Sequence, residues 1–269
     1  MRHLGALVFL LLGACSSPSR PPIASSVTGE ADAAADASTT QTHAAGSWCA
    51  GRAEAFCDDL DTPGFTSKWW SVEASNGAGG TGLPPGALDT RNYTSAPNGF
   101  TARTPAIPGP MAETQQIKTG GSGPDASHVD AELAFSVRAA ALGDGARTEI
   151  ARIEGVNPIT FATYAVALLL SKSGASIDLV QGSQAKVTMP VAAPVRVGSW
   201  SRIAIRLGLE RTVDGSPTSV VIQIDGAPPE TFSMARGMGV RPFLRLGLAV
   251  TGPSAPCEVA YDDVTYQAR

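Results

Sequence analysis

The chain has 269 residues, a formal net charge of −4, 43% hydrophobic and 16% charged residues. No basic cluster able to neutralise several phosphates is present, which argues against nucleic acid as a partner. The apolar content suffices for one packed core, yet no stretch approaches the roughly 20 apolar residues that a membrane-crossing helix needs.

Arg2 and His3 precede a short apolar run from Leu4 to Leu12. A run of that length reads as the apolar region of a signal peptide. Its continuation, Leu12-Gly13-Ala14-Cys15, resembles the lipobox of bacterial lipoproteins. That resemblance implies cleavage before Cys15, acylation of Cys15 and attachment to a membrane of the cell envelope by more than one acyl chain. Ser16 is similar to the residues that let such proteins reach an outer membrane or the cell surface. Residues 1–15 are thus predicted to be the signal peptide. Residues 16–46 are rich in Ser, Thr, Ala, Pro and Asp. They cannot bury enough surface to offset their ordering entropy, so they are predicted to form a disordered tether. Residues 47–269 are predicted to be one domain.

Cys49, Cys57 and Cys257 remain in that domain, an odd number in a chain whose export permits disulfides. Cys49 and Cys57 could close a short loop, and Cys257 a much larger one; spacing does not choose between them. The three lack CxxC spacing, and His128 is the only histidine after residue 47, so a zinc-type site is not predicted.

From Trp48 onward, short apolar alternations are separated by Gly and Pro. Phe56 to Asp61, Glu132 to Arg138, Tyr164 to Leu170, Ser176 to Val180, Arg202 to Leu209, Ser219 to Ile224, Phe243 to Val250 and Glu258 to Tyr266 read as strands. Gly143-Asp144-Gly145, Asp214-Gly215-Ser216-Pro217 and Asp225-Gly226 read as turns. The region from Asn76 to Pro110, rich in Gly and Pro, is predicted to wrap the sheets without a firm strand of its own. Strands without helices imply two stacked antiparallel sheets or a barrel.

The opening Phe56-Cys57-Asp58-Asp59-Leu60-Asp61, followed by Lys68-Trp69-Trp70, resembles the start of concanavalin A-like domains, especially family-16 glucanases. Glu258 to Gln267, with Tyr261-Asp262-Asp263-Val264, is similar to their closing strand. Gly198-Ser199-Trp200, followed by Val221-Ile222-Gln223-Ile224-Asp225-Gly226, is similar to laminin G-like domains. The resemblance implies an all-β, two-sheet antiparallel jelly-roll sandwich with its first and last strands adjacent. It also implies a structural calcium near the chain ends, with Asp262 or Asp263 as a ligand. Trp200 itself reads as a core or rim packing residue.

The glucanase signature, three carboxylates alternating on one strand, is absent. Thr148-Glu149-Ile150-Ala151-Arg152-Ile153-Glu154 is the nearest segment, and on a regular strand the odd offset sends Glu149 and Glu154 to opposite faces. Asp130 and Glu132 share a face without a third group. His128 follows a Gly-rich loop and reads as a surface histidine. Lyases of this fold depend on Arg, His, Gln and Tyr clustered on one sheet, for which Arg147, Arg152 and Arg206 are the candidate arginines. No catalytic residue is assigned. The expected function is a surface-anchored, noncatalytic recognition domain for glycans or polysaccharide, with Trp69, Trp70 and Tyr93 as candidate stacking platforms. The alternatives are a divergent polysaccharide hydrolase or lyase, and a structural envelope protein that binds another protein.

Overall fold

A computed structural model describes residues 48–54, 56–61, 69, 71–76, 86–109, 112–119, 128–143, 147–156, 163–182, 186–210, 218–234 and 243–268. All of them belong to the unit Thr40–Arg269. Cys15, the residues of the expected tether, Trp70 and the turns at 144–145 and 214–217 lie outside the described residues.

Alternation of apolar and polar side chains makes these residues strands and not helices, since successive side chains of a strand point to opposite faces. In chain order they are β1 (Phe56–Asp58), β2 (Ser71–Asn76), β3 (Ala87–Asp89), β4 (Gly99–Thr104), β5 (Ala112–Thr119), β6 (His128–Ala141), β7 (Arg147–Val156) and β8 (Thr163–Ser171). There follow β9 (Gly174–Gln181), β10 (Val187–Val191), β11 (Trp200–Glu210), β12 (Thr218–Ile224), β13 (Glu230–Met234), β14 (Phe243–Thr251) and β15 (Cys257–Ala268). No helix occurs among the described residues.

The strands form two antiparallel sheets. One has eight strands in the order β13-β12-β11-β6-β15-β4-β3, with β1 added along β15; the other has seven, in the order β10-β9-β8-β7-β14-β5-β2. Leu133, Phe135 and Val137 of β6, Ile203 and Ile205 of β11, Val166, Leu168 and Leu170 of β8, and Leu244, Leu246 and Leu248 of β14 are buried between the sheets. This is the expected two-layered jelly roll. Phe56 of β1 lies opposite Tyr266 of β15, so the first and last strands are neighbours as the resemblance implies.

Two expectations need correction or completion. The Asn76–Pro110 region contains β3 and β4, and β4 pairs with β15 inside the eight-stranded sheet. Its sequence Gly99-Phe-Thr-Ala-Arg-Thr104 carries little apolar bulk, because of its inward residues Phe100, Ala102 and Thr104 only the first is large and apolar. The cysteine pairing left open is Cys49–Cys57, with Cα atoms 5.7 Å apart, while Cys257 is free and buried on β15.

Bulges break the alternation at two places. On β15, Tyr261 and Val264 both face the core although three residues apart, because the pairing with β6 shifts between Asp262 and Thr265. Asp263 takes φ +52° there, a left-handed conformation that aspartate tolerates better than most residues. On β7, the pairing with β8 shifts between Glu149 and Ala151, so Ile150 and Ala151 both turn inward.

Candidate functional site

The β7 bulge reverses the expected placement of the two glutamates. Beyond it the outward positions change parity, so Glu149, Arg152 and Glu154 all face out from the same side of the seven-stranded sheet. Arg152 Nη1 donates to Glu149 Oε2 at 3.1 Å, and Arg152 Nε donates to Glu154 Oε2. Arg245 of β14, directly opposite Arg152 in register, reaches Glu154 Oε1 at 3.7 Å. These are not solvated edge charges. β7 lies in the middle of the sheet, and the side chains of Glu149, Glu154 and Arg152 are only 17%, 13% and 20% exposed. Burial pushes the Glu149 carboxyl up from its ordinary value, against the pull of Arg152. For Arg152, burial works against the charge, but Glu149 and Glu154 outweigh it and hold the guanidinium protonated.

Gln116 of β5 adjoins this group. It alternates with the core residue Ile117 and is only 2% exposed, and its amide lies close enough to Glu149 to favour the ionised carboxylate. Its Nε2 nevertheless closes no hydrogen bond of good geometry. A buried donor in that state is costly unless a further acceptor arrives.

The same face continues across β8 to a second polar group. Register places Arg245, Arg152, Ala167, Asp178 and Thr188 in one row across β14, β7, β8, β9 and β10. Arg147 Nη2 donates to Asp178 Oδ1, Lys186 Nζ pairs with Asp178 Oδ2 at 2.9 Å, and Thr188 Oγ1 donates to Asp178 Oδ1 at 2.7 Å. Burial would raise the Asp178 carboxyl, but Thr188, Lys186 and Arg147 hold it below its ordinary value. Ala165 and Ala167, small and outward on β8, lie between the two groups and are fully buried there. With strands about 4.8 Å apart, the row from β14 to β10 is about 19 Å long.

The other sequence candidates lie elsewhere. Trp69 is not a stacking platform. It is 4% exposed, its Nε1 donates to Asp58 Oδ2 at 2.7 Å, and its ring meets Phe56 edge-on at 5.0 Å, so it belongs to the core. Tyr93 lies beside Thr94 and Ser95, whose groups donate to Asp262 and tie that segment to the eight-stranded sheet. Arg206 pairs with Glu132 at 3.2 Å on the outer face of the eight-stranded sheet, away from Arg147 and Arg152. His128 opens β6 opposite Glu210 in that sheet. The four tyrosines also lie off the polar row: Tyr261 and Tyr266 on the core side of β15, Tyr164 on the inward side of β8, and Tyr93 as described. Of the set used by lyases of this fold, the outer face of the seven-stranded sheet therefore presents Arg and Gln among the described residues, with Glu149 and Glu154 as the groups able to take a proton.

Asp262, the expected calcium ligand, is engaged by backbone amides. Its Oδ2 accepts Thr94 N at 2.6 Å and Ser95 N at 2.8 Å, and its Oδ1 accepts Asp263 N at 2.8 Å. Three amide donors thus already hold this carboxylate. Among the described residues no group of three or more His, Cys, Asp or Glu is placed to hold a metal ion. The carboxylate instead locks the 94–95 backbone onto β15. Burial first, and Asp263 beside it, push its pKa up to about 7.

No protein-family model and no curated protein matches the chain. Its fold does match solved structures. An endo-beta-1,4-glucuronan lyase from the fungus Trichoderma reesei aligns with a TM-score of 0.56 at 15% identity, over 80% of this chain and 95% of that one. An alginate lyase from Chlorella virus aligns with a TM-score of 0.52 at 9% identity, over 76% of this chain and 94% of that one. A family 7 alginate lyase in complex with substrate aligns with a TM-score of 0.51 at 12% identity, over 75% of this chain and 93% of that one. At these identities the likeness is one of fold, and these structural neighbours are polysaccharide lyases.

Proposed function

We propose that this chain acts on polysaccharide and holds an acidic glycan across the outer face of its seven-stranded sheet. The observation that carries this reading is the half-buried group of Glu149, Arg152, Glu154 and Arg245, with the unsatisfied Gln116 Nε2 beside it. A polar centre in mid-sheet, continued by a row that crosses five strands, suits an extended chain of hydroxyls and carboxylates better than a small ligand. The substrates of the structural neighbours, glucuronan and alginate, support the same class.

The act itself has two readings. The neighbours' own activities favour cleavage by a divergent lyase or hydrolase. In the lyase form of that reading Arg152 and Gln116 meet a sugar carboxylate, Glu149 takes the proton on the carbon next to it, and the glycosidic C–O bond at the neighbouring carbon breaks, its oxygen leaving with a proton from water and a C=C bond remaining in the sugar. Recognition without cleavage is favoured by the absence of histidine and tyrosine from the polar row among the described residues. It is also favoured by Arg152 having its donors engaged by two glutamates. We also propose that Cys15 is acylated and anchors the domain in the bacterial cell envelope, which mass spectrometry of native material would test.

Incubation with polyglucuronate, alginate and a neutral glucan, followed by calorimetric binding and by ultraviolet absorbance of unsaturated products, separates these outcomes. Binding of an acidic polymer that Glu149→Gln weakens supports the site, and product that Glu149→Gln abolishes selects cleavage. Binding of no polysaccharide overturns the proposal.

A further inference from the structure

A cleft of about 500 Å³ opens at one end of the eight-stranded sheet, away from the polar row. Three segments build it: the 192–199 connection between β10 and β11, the first residues of β11, and the turn joining β12 to β13. Its volume lies within the usual range of ligand sites.

Both movable walls are pinned. Glu230 Oε1 and Oε2 accept Ala192 N at 3.0 and 2.9 Å, and Oε1 also accepts Ala193 N at 3.0 Å, which fixes the start of the connection against β13. On the opposite side, a β-turn opens the five-residue connection from β12 to β13: Ala227 N donates to Ile224 O at 2.9 Å, and Asp225 and Gly226 take φ +50° and +71°. Asp225 Oδ1 accepts Arg202 N at 2.6 Å, which holds the carboxylate at the cleft's edge.

The lining combines three kinds of group. Trp200 is partly exposed and offers an indole, with Ala193 and Pro194 as apolar neighbours. Asp225 offers an acceptor. Arg196 is exposed and makes no side-chain hydrogen bond or ion pair with any described residue, Asp225 included. A cation and a carboxylate that line one cleft without pairing leave both charges available to a ligand. An acceptor-only carboxylate suits adjacent hydroxyls, a guanidinium suits an anion, and an indole suits the C–H face of a saturated ring.

We propose that this cleft is a second saccharide site that takes one acidic sugar unit, with its ring on Trp200, its carboxylate on Arg196 and its hydroxyls on Asp225. The choice of a sugar rests on the proposed function; the place and the charge pattern do not. Two sites on opposite sheets would let one molecule hold two glycan strands, or two points of one.

The test uses the full chain with glucuronic acid and glucose as probes, read by tryptophan fluorescence and calorimetry, with melting temperature as the control for folding. Glucuronic acid is expected to bind, Trp200→Ala to weaken it about tenfold or more, and Arg196→Gln to remove the preference for glucuronic acid over glucose. Trp200→Phe, which keeps a ring, is expected to retain most of the binding and covers the case in which the alanine variant misfolds. Unchanged affinity in both Trp200→Ala and Arg196→Gln overturns the proposal, as does binding of neither monosaccharide. If polyglucuronate binding is lost in Glu149→Gln while the Trp200 and Arg196 variants change nothing, this proposal falls and the sheet site stands. If the reverse holds, the sheet site falls and this one stands.

Discussion

The hydroxyl of Tyr261 lies 2.9 Å from the carbonyl oxygen of Ile150, across the core and directly beneath the bulge that aligns Glu149 with Glu154. It lies 3.0 Å from the carbonyl of Gly247 as well, on the neighbouring strand, where the β7–β14 pairing also shifts. The eight-stranded sheet thus holds, through one buried side chain, the irregularity on which the outer face of the other sheet depends. Burial raises this phenol well above its ordinary range, so it remains a neutral donor.

Tyr261→Phe keeps the ring and removes the shared proton, leaving two buried carbonyls without it. The expected loss is about 1–3 kcal/mol in urea unfolding. Saccharide binding at the outer face is expected to weaken as well, because Glu149 follows the Ile150 backbone. A variant that loses stability but binds normally would separate the bulge from the site.

Arg152→Met leaves Glu149 and Glu154 facing each other, largely out of water. Removing one partner of a buried ion pair costs about 3–5 kcal/mol, and partial exposure here places the expected loss below that range, about 2–3 kcal/mol. Glu149→Gln is expected to cost less, since Arg152 keeps Glu154 and the amide keeps an acceptor. Equal unfolding midpoints for the two variants in urea would contradict the network.

Stability is expected to fall as pH rises from about 4 through about 7. Asp262 titrates at about 7 and Asp61 at about 6 in the fold, both raised first by burial. The folded state therefore binds those protons more tightly than the unfolded chain, whose carboxyls titrate near 3.9, so raising pH through that window costs stability. Asp89 acts oppositely. Burial would raise it, but Arg91, Asn92 and Arg103 hold it below the usual carboxylate range, so its contribution is lost in strong acid. Melting temperature should peak near about pH 4, and Asp262→Asn should flatten the decline above it. A wild-type melting temperature that rises from pH 5 to pH 8 would contradict the reading.

Trp69→Phe removes the hydrogen bond to Asp58 and shrinks the packing against Phe56. It is expected to lower the melting temperature and leave glycan binding unchanged. Loss of binding at unchanged stability would restore Trp69 as a platform.

The sequence made the sandwich legible because its core strands alternate cleanly: Leu133, Phe135 and Val137 announce an inward face without help from the rest of the chain. The adjacency of β1 and β15 was legible only through resemblance. The candidate site was hidden by a single inserted residue. Strict alternation separates Glu149 from Glu154, and the inward turn of both Ile150 and Ala151 reunites them. Tyr261 and Val264 carry the one readable hint that such bulges occur, since both are apolar at an odd spacing. Trp69 misleads for another reason: sequence alone does not show that its indole is buried, whereas here Asp58 is the buried partner of its Nε1. β4 escaped notice because glycine, threonine and arginine do the work of a strand only where neighbours pair on both sides.

The most direct test of the saccharide face is hydrogen–deuterium exchange of the full chain with and without saturating acidic polysaccharide. The account predicts added protection in β7, β14 and β9, centred on Glu149 to Glu154, with a smaller effect near Trp200. Protection confined to the eight-stranded sheet, or none in β7 at full occupancy, would contradict it.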